Sequence, residues 1–147
     1  MSYHLRQAST KDIPFMIHLE KVVFAQFPEV MEHWDEQHQK EHYEHCFRPK
    51  YVSIIESEDH PIGAISIISR RKDISIVYLY LLPEFQEKDV DFSLIKEVLR
   101  KAKKEQKPVF TCMFRSEERV KMLLCSHLGF EIFSEDKLRL RARWDPN

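Results

Sequence analysis

Glycine is almost absent from this sequence: among 147 residues only Gly63 and Gly129 occur. Glycine allows backbone conformations that other residues avoid, so each should mark a position where the backbone geometry leaves little choice. Long apolar runs are missing too, and residues 1–6 lack an apolar signal-peptide core. These absences argue against a bilayer-spanning helix and a secretory leader.

Cysteine is scarce, and neither sign of charge dominates. Cys46, Cys112 and Cys125 show no CxxC spacing and are odd in number, which predicts reduced thiols in the cytoplasm rather than a disulfide framework. Lys and Arg number 23 and Asp and Glu 24, so no net field indicates nucleic acid or an anionic membrane as a partner. Apolar residues make up 43%, enough for a core, and the length fits one domain over residues 1–147.

Hydrophobic periodicity predicts an α+β chain. Residues 9–12 have the form of a capping box before a first helix, which we expect Pro28 to end. A strand–helix–strand unit mid-chain implies one parallel crossover, so we predict a mixed, mostly antiparallel sheet with a central β-α-β crossover and helices on both faces. The predicted strands are 3–8, the surroundings of Val52 and Ile54, 64–68, 74–82, 109–114, 130–133 and 138–144; the predicted helices are 13–27, 34–47, 92–102 and 117–128.

Four short motifs follow one another along the chain. They are residues 5–8 with Asp12 (LRQA and D), 60–63 (HPIG), 79–86 (LYLLPEFQ) and 128–131 (LGFE). In this order the motifs resemble those of the GNAT N-acetyltransferase superfamily, over essentially the whole chain. Residues 34–39 (WDEQHQ) are similar to a motif from one branch of small GNAT proteins.

The resemblance implies an enzyme that transfers an acetyl group from acetyl-CoA to a small-molecule amine or a protein amino group. It implies no metal, and a homodimer is left open. In the family the pantetheine arm pairs with the free edge of the fourth strand, and the pyrophosphate rests on backbone amides before the next helix. The implied cofactor-binding residues are Tyr80, Leu81, Leu82, Gln86, Glu87, Lys88, Asp89, Val90 and Asp91.

The phosphate loop departs from the family pattern, which places glycine where this chain has Asp89 and glycine or alanine where it has Asp91. Aspartate tolerates unusual backbone angles, so the turn can survive. Its charge is the larger obstacle, since two like charges about 4 Å apart repel by roughly 4 kcal/mol at a surface-like dielectric. Lys88 and the helix dipole offset part of this if the carboxylates point outward, and Arg115, Arg119 and Lys121 are candidate compensating cations. Both aspartates also suit a helix N-terminus without any ligand.

The catalytic positions are altered as well. Cys125 occupies the place of the tyrosine general acid; a thiol can protonate a departing thiolate, but a small buried apolar side chain is the more frequent role of a cysteine on a helix beside leucines. Val77 replaces a carboxylate that many members carry before the fourth-strand tyrosine. Tyr78, Tyr80, Glu36 and His38 are alternative candidates for the base. We assign Cys125, Tyr80 and His38 as catalytic candidates.

The second predicted helix is unusually rich in histidine. His38, His42 and His45 follow helical spacing, and Cys46 lies four residues after His42, a geometry that zinc can use. Without an HExxH motif or a carboxylate partner, a solvated polar helix is the simpler interpretation. The resemblance places the acceptor pocket here and gives as substrate-binding candidates Trp34, Glu36, Gln37 and Tyr78.

Three hypotheses follow from the sequence. The favoured one is an active acetyltransferase, because a backbone-based cofactor site tolerates side-chain changes. The second is a catalytically degenerate GNAT domain that binds a ligand or partner, which the substitutions at Asp89, Asp91 and Cys125 favour. The third is a metal site on the histidine-rich helix.

Overall fold

A computed structural model describes residues 2–147. The chain divides into two compact units, residues 2–66 with 79–90 and residues 67–78 with 91–147. Its seven strands form one mixed sheet in the order β1-β2-β3-β4-β5-β7-β6, which confirms the predicted α+β class. A single domain over 1–147 stays a prediction.

The first unit contains the N-terminal strand, three helices and two further strands. Strand β1 pairs antiparallel with β2, and β2 pairs antiparallel with β3. The buried core of this unit includes Met16, Leu19, Ile54 and Ile55. The elements are β1 His4–Gln7, α1 Ile13–Phe24, α2 Pro28–Met31, α3 Glu36–Cys46, β2 Val52–Ser57 and β3 His60–Ser69, followed by the end of β4 Ile74–Leu81.

The second unit contains the end of β3, the start of β4 and residues 91–147. The parallel pairing of β4 with β5 confirms the predicted crossover through α4; it spans three residue pairs, from Ile74↔Val109 to Ile76↔Thr111. Strand β5 continues antiparallel with β7, and β7 pairs antiparallel with β6. The elements are α4 Val90–Glu105, β5 Val109–Phe114, α5 Glu118–Lys121, a π-helical segment Met122–His127, β6 Glu131–Glu135 and β7 Arg139–Trp144.

The first predicted helix begins at Ile13 as predicted but ends earlier than predicted. The capping box at Ser9 and Asp12 is present, but it caps the N-terminus of a 3-10 turn, Thr10–Asp12, that precedes α1. The prediction that Pro28 ends the helix is wrong: α1 ends at Phe24, and Pro28 is the first residue of α2. Proline suits that first position because its missing N–H has no helical partner there.

The last predicted helix is not a regular α-helix. Leu128 N–H bonds the carbonyl of Leu123, five residues back, and Phe130 N–H bonds that of Leu124. The first bond spans five residues, one more than in an α-helix, and is the bond of a π-helix; the second spans six residues and closes the end of the segment. Gly129 has φ +83°, as predicted for a left-handed cap.

Within residues 2–147 no helix combines the length and apolar character that crossing a membrane requires.

Candidate active site

The end of β4 lies unusually close to β3, at Gly63. A Cβ on Gly63 would lie 2.3 Å from the Tyr80 carbonyl oxygen and 2.8 Å from Leu81 Cδ2. No other residue fits there without a backbone shift, since real Cβ atoms do not approach an oxygen so closely. Gly63 is therefore required by close strand packing and not by a positive φ.

Only one of the three predicted strand-edge residues turns its backbone polar groups away from β3. Leu82 N–H donates to the Ile62 carbonyl at 2.9 Å, and the Tyr80 carbonyl faces Gly63. Because main-chain polar groups alternate along a strand, the N–H and C=O of Leu81 point to the opposite edge. A ligand that pairs with this edge would use Leu81.

Gln86 fixes the start of the predicted phosphate loop. Its side-chain amide donates to the Leu81 carbonyl at 3.0 Å and exchanges two hydrogen bonds, of 3.0 and 3.2 Å, with the amide of Gln26. Gln26 follows the end of α1. The Gln86 side chain thus braces the strand end against the helix end, and its backbone N–H bonds the Pro83 carbonyl at 3.2 Å.

The loop takes the backbone conformation that glycine would give it. Asp89 has φ +60° and an exposed side chain. This left-handed conformation costs most residues about 1–2 kcal/mol, and aspartate less. Val90 is fully buried and anchors the first turn of α4, whereas Glu87 and Lys88 are exposed. The turn that sequence analysis expected to survive is therefore present.

The sequence analysis considered that both aspartates of the loop could point outward, but the Asp91 side chain is buried. The residue is 6% exposed, its Oδ1 accepts the Phe92 N–H at 2.9 Å, and its Oδ2 lies 2.8 Å from Nη1 of Arg119. Arg119 is therefore committed to neutralising Asp91, and is not a free cation. The carboxylate accepts the Phe92 N–H, one of the amides of the first helical turn that lack a partner within the helix.

These features fit a bound acyl-CoA. The left-handed turn at Asp89 keeps the loop backbone in the required shape, and Arg119 cancels the charge of Asp91. The residues that would hold the group are Leu81 through its strand edge and residues 87–90 through their backbone amides.

The tyrosines of β4 are half-buried. The ring of Tyr80 meets that of Phe24 edge-on, with 5.6 Å between the ring centroids. Tyr78 lies beyond the last β4–β5 residue pair, as does Val77, which is 42% exposed. The structure therefore shows a packing role for the Tyr80 ring.

Of the acceptor-side candidates, Trp34 alone reaches the interior of the first unit. Trp34 Nε1 donates to Glu20 at 3.1 Å. Glu36 instead pairs with Lys21 at 3.1 Å, and the Gln37 amide donates to Glu41. His38 is exposed on the first turn of α3, where its backbone N–H bonds Asp35.

Sequence reasoning missed Glu20. It is 7% exposed and accepts from both Trp34 and the hydroxyl of Tyr43. The signal was available, because Glu20 lies four residues from both Met16 and Phe24 and so falls on the apolar stripe of α1.

Cys125 is half-buried in the π-helical segment, and the other half-buried thiol, Cys112, is on β5. The histidine-rich helix does not assemble a metal centre: across residues 2–147, no three His, Cys, Asp or Glu side chains lie together as metal ligands would. His42 packs edge-on against Tyr43, and His45 Nδ1 bonds the Glu41 carbonyl at 2.8 Å.

Comparison with known proteins gives a family and a fold. The sequence profile of the Acetyltransferase (GNAT) family matches residues 16–123, whereas no curated protein sequence matches the chain.

Among solved structures, the PaiA N-acetyltransferase of Thermoplasma acidophilum in complex with coenzyme A is 18% identical, with a TM-score of 0.71 and 99% of each chain covered. The ribosomal-protein-S18-alanine N-acetyltransferase of Escherichia coli is 13% identical, with a TM-score of 0.70 and coverage of 98% of this chain and 94% of that one. YncA of Salmonella typhimurium, a putative acetyltransferase with acetyl-CoA, is 16% identical, with a TM-score of 0.67 and coverage of 100% and 95%.

Proposed function

Because the chain belongs to the acetyltransferase (GNAT) family, we propose that it is an N-acetyltransferase that uses acetyl-CoA and an amine acceptor. The observation that carries this proposal is the loop of residues 86–91. It keeps a left-handed turn at Asp89 and pairs the buried Asp91 with Arg119, and both features support a main-chain phosphate site in this loop.

Bound acetyl-CoA would supply a thioester, whose C–S bond breaks as the acceptor nitrogen forms a C–N bond. The chain has three tasks in this transfer. The Leu81 edge holds the pantetheine arm, an acid protonates the departing sulfur, and a base takes the proton that the amine loses. We assign the acid to Cys125, and Tyr80 and His38 stay the candidates for the base.

Binding and turnover test the proposal separately. Acetyl-CoA should raise the melting temperature because it binds the folded state, and free thiol should appear when an acceptor from a panel of small amines and peptide N-termini is added. A missing thermal shift at millimolar acetyl-CoA would refute the proposal. A shift without turnover on any amine would instead support the degenerate ligand-binding domain.

The two half-buried cysteines provide a matched pair for testing the acid. Cys125→Ala should lower kcat by about a hundredfold, the typical contribution of a positioned acid. Cys112→Ala removes a thiol of similar burial and should leave kcat within about twofold of wild type. Equal effects of the two substitutions would show that Cys125 is a packing residue.

A further inference from the structure

The sheet of the second unit has one buried face and one exposed face. Residues that pair directly across neighbouring strands carry their side chains on the same face. On one face of β5 and β7 the side chains include the buried Val109, Met113, Leu140 and Ala142. The opposite side, which we call the exposed face, is defined by six residues of β5, β6 and β7, namely Phe110, Glu131, Phe133, Arg139, Arg141 and Arg143.

Two phenylalanine rings lie together on the exposed face. Phe133 is an extra residue in β6, because Ile132 pairs with Ala142 and Ser134 pairs with Arg141. Such a bulge can re-aim a side chain. The Phe133 ring meets that of Phe110 edge-on across β7, with 5.9 Å between the ring centroids, and yet Phe133 is 57% exposed. The bulge therefore presents an aromatic ring to a partner rather than to the core.

Three arginines occupy alternate positions of β7 beside these rings. Alternate residues of a strand are about 7 Å apart and face the same way. Arg143 pairs with Asp145 at 2.8 Å and lies 5.1 Å from the centroid of the Phe110 ring. Among residues 2–147, neither Arg139 nor Arg141 forms an ion pair with a carboxylate. Two exposed guanidinium groups are thus left with uncompensated charge.

The balance of charge over the whole chain conceals this basic surface. Against the three arginines of β7, the described positions of the exposed face in β5, β6 and β7 include one acidic residue, Glu131, which is paired in register with Arg143. The near-equal numbers of acidic and basic residues in the sequence describe the chain as a whole. A local excess of positive charge next to exposed rings favours an anionic partner.

A row of arginines beside exposed rings is complementary to a single-stranded nucleic acid. Guanidinium groups bind phosphates, and unpaired bases stack on aromatic rings. An acidic peptide would use the arginines but leave the rings without a task, and a peptide strand added to the edge of β6 would meet the bulge at Phe133. A second copy of this chain, docked face to face, would place arginines against arginines.

We propose that the exposed face binds single-stranded nucleic acid, with phosphates on Arg139 and Arg141 and a base stacked on Phe133. This function goes beyond the proposed acetyl transfer, and it requires neither acetyl-CoA nor an acceptor amine. It is therefore tested with the protein alone, and failure of the acetyltransferase proposal would leave it unaffected.

Fluorescence anisotropy of a labelled single-stranded RNA of about ten nucleotides measures this binding directly. We expect saturable binding at about 50 mM salt and an affinity that falls as salt is raised, because phosphate contacts release counterions. A duplex of the same length should bind at least about tenfold more weakly, since its bases are not free to stack. No saturable binding of the single strand, or equal affinity for the duplex, would overturn the proposal.

Two matched pairs of variants locate the site. Phe133→Ala should weaken binding by about tenfold, the loss of one stacked base, whereas Ile132→Ala shortens the neighbouring side chain, on the other face of β6, and should change it by less than about twofold. Arg141→Gln should weaken binding and lower the salt slope by about one phosphate contact, whereas Arg71→Gln removes an exposed arginine outside this face. Equal effects within either pair would contradict the proposed site.

A labelled peptide of alternating glutamate and aspartate, about ten residues long, tests the other anionic partner. It should bind at least about tenfold more weakly than the single-stranded RNA, because it has no bases to stack on the rings. Its affinity should also be the same for Phe133→Ala as for wild type. Tighter binding of the peptide than of the RNA would overturn the nucleic-acid proposal in favour of an acidic protein partner.

Discussion

The loop of residues 86–91 and the helices α1 and α3 use different parts of the chain for their proposed tasks. The loop works through backbone, so Asp89 can replace glycine provided it adopts φ +60°, and Asp91 can be buried provided Arg119 neutralises it. The helices and Trp34 between them would work through side chains, and of their polar groups Glu20, Trp34 and Tyr43 bond one another in the interior whereas Glu36 and His38 face solvent. A backbone site therefore tolerates substitutions that would remove a side-chain site.

The largest effect on the loop of residues 86–91 is expected from disturbing the strand backbone that supports it. Gly63→Val would force β3 away from Tyr80, because a Cβ there meets the carbonyl oxygen at 2.3 Å. We expect a loss of about 3 kcal/mol in the free energy of unfolding, measured by urea denaturation, together with loss of the acetyl-CoA thermal shift. A variant that bound acetyl-CoA normally would show that the close approach at Gly63 is not needed.

The next largest effect should come from the Asp91–Arg119 pair. Arg119→Ala leaves a buried carboxylate unpaired and should lower the free energy of unfolding by about 2 kcal/mol, less than a fully buried pair because Arg119 is partly exposed. In a double-mutant cycle with Asp91→Asn, most of this loss should be recovered. Additive effects would mean that the two charges do not interact.

The ion pair of Arg6 with Asp12 in the first unit serves as a reference, because it lies outside the loop of residues 86–91 and outside α1 and α3. Arg6 donates to Asp12 at 2.8 and 3.0 Å, and these hydrogen bonds hold the pKa of Asp12 below its usual range. A carboxyl group whose pKa is lower in the folded than in the unfolded state stabilises the folded protein. This stabilisation is complete above the unfolded-state pKa and is lost as pH falls through the folded-state pKa. Asp12→Asn should therefore cost about 1–2 kcal/mol at pH 7, with the difference from wild type disappearing in acid urea titrations. A pH-independent difference would rule out this linkage.

The two aspartates of the loop should differ in their effect on the cofactor, although both effects are small. Asp89→Gly removes an exposed charge and should tighten coenzyme A binding by about fivefold, equivalent to about 1 kcal/mol. Asp91→Gly removes a charge that Arg119 already neutralises, so it should bring no gain. Calorimetric titration of both variants decides this, and an equal gain from each would show that Asp91 acts on the ligand as a free charge.

Elements were predicted well from the sequence where local signals mark their ends. Strand 109–114 was predicted with the observed limits, since Pro108 precedes it and a charged residue, Arg115, follows. Pro28 was misread because proline serves both to end one helix and to begin another. The π-helical widening at residues 122–127 has no comparable local signal.

The candidate site was harder to predict than the fold. The family motifs indicated the strand edge and the loop as candidates, but not that the backbone polar groups of Tyr80 and Leu82 face β3. The burial of Asp91 depends on Arg119, and that of Glu20 on Trp34 and Tyr43, all distant in sequence. Such pairings are made by tertiary packing, which residue type and periodicity do not encode.

Calorimetric comparison of coenzyme A with pantetheine, which lacks the nucleotide and its phosphates, tests most directly whether the backbone of residues 86–91 holds a pyrophosphate. We predict that coenzyme A binds at least about a hundredfold more tightly, with the advantage falling as salt is raised because it is electrostatic. Equal affinity for the two compounds, or no binding of coenzyme A, would contradict the account.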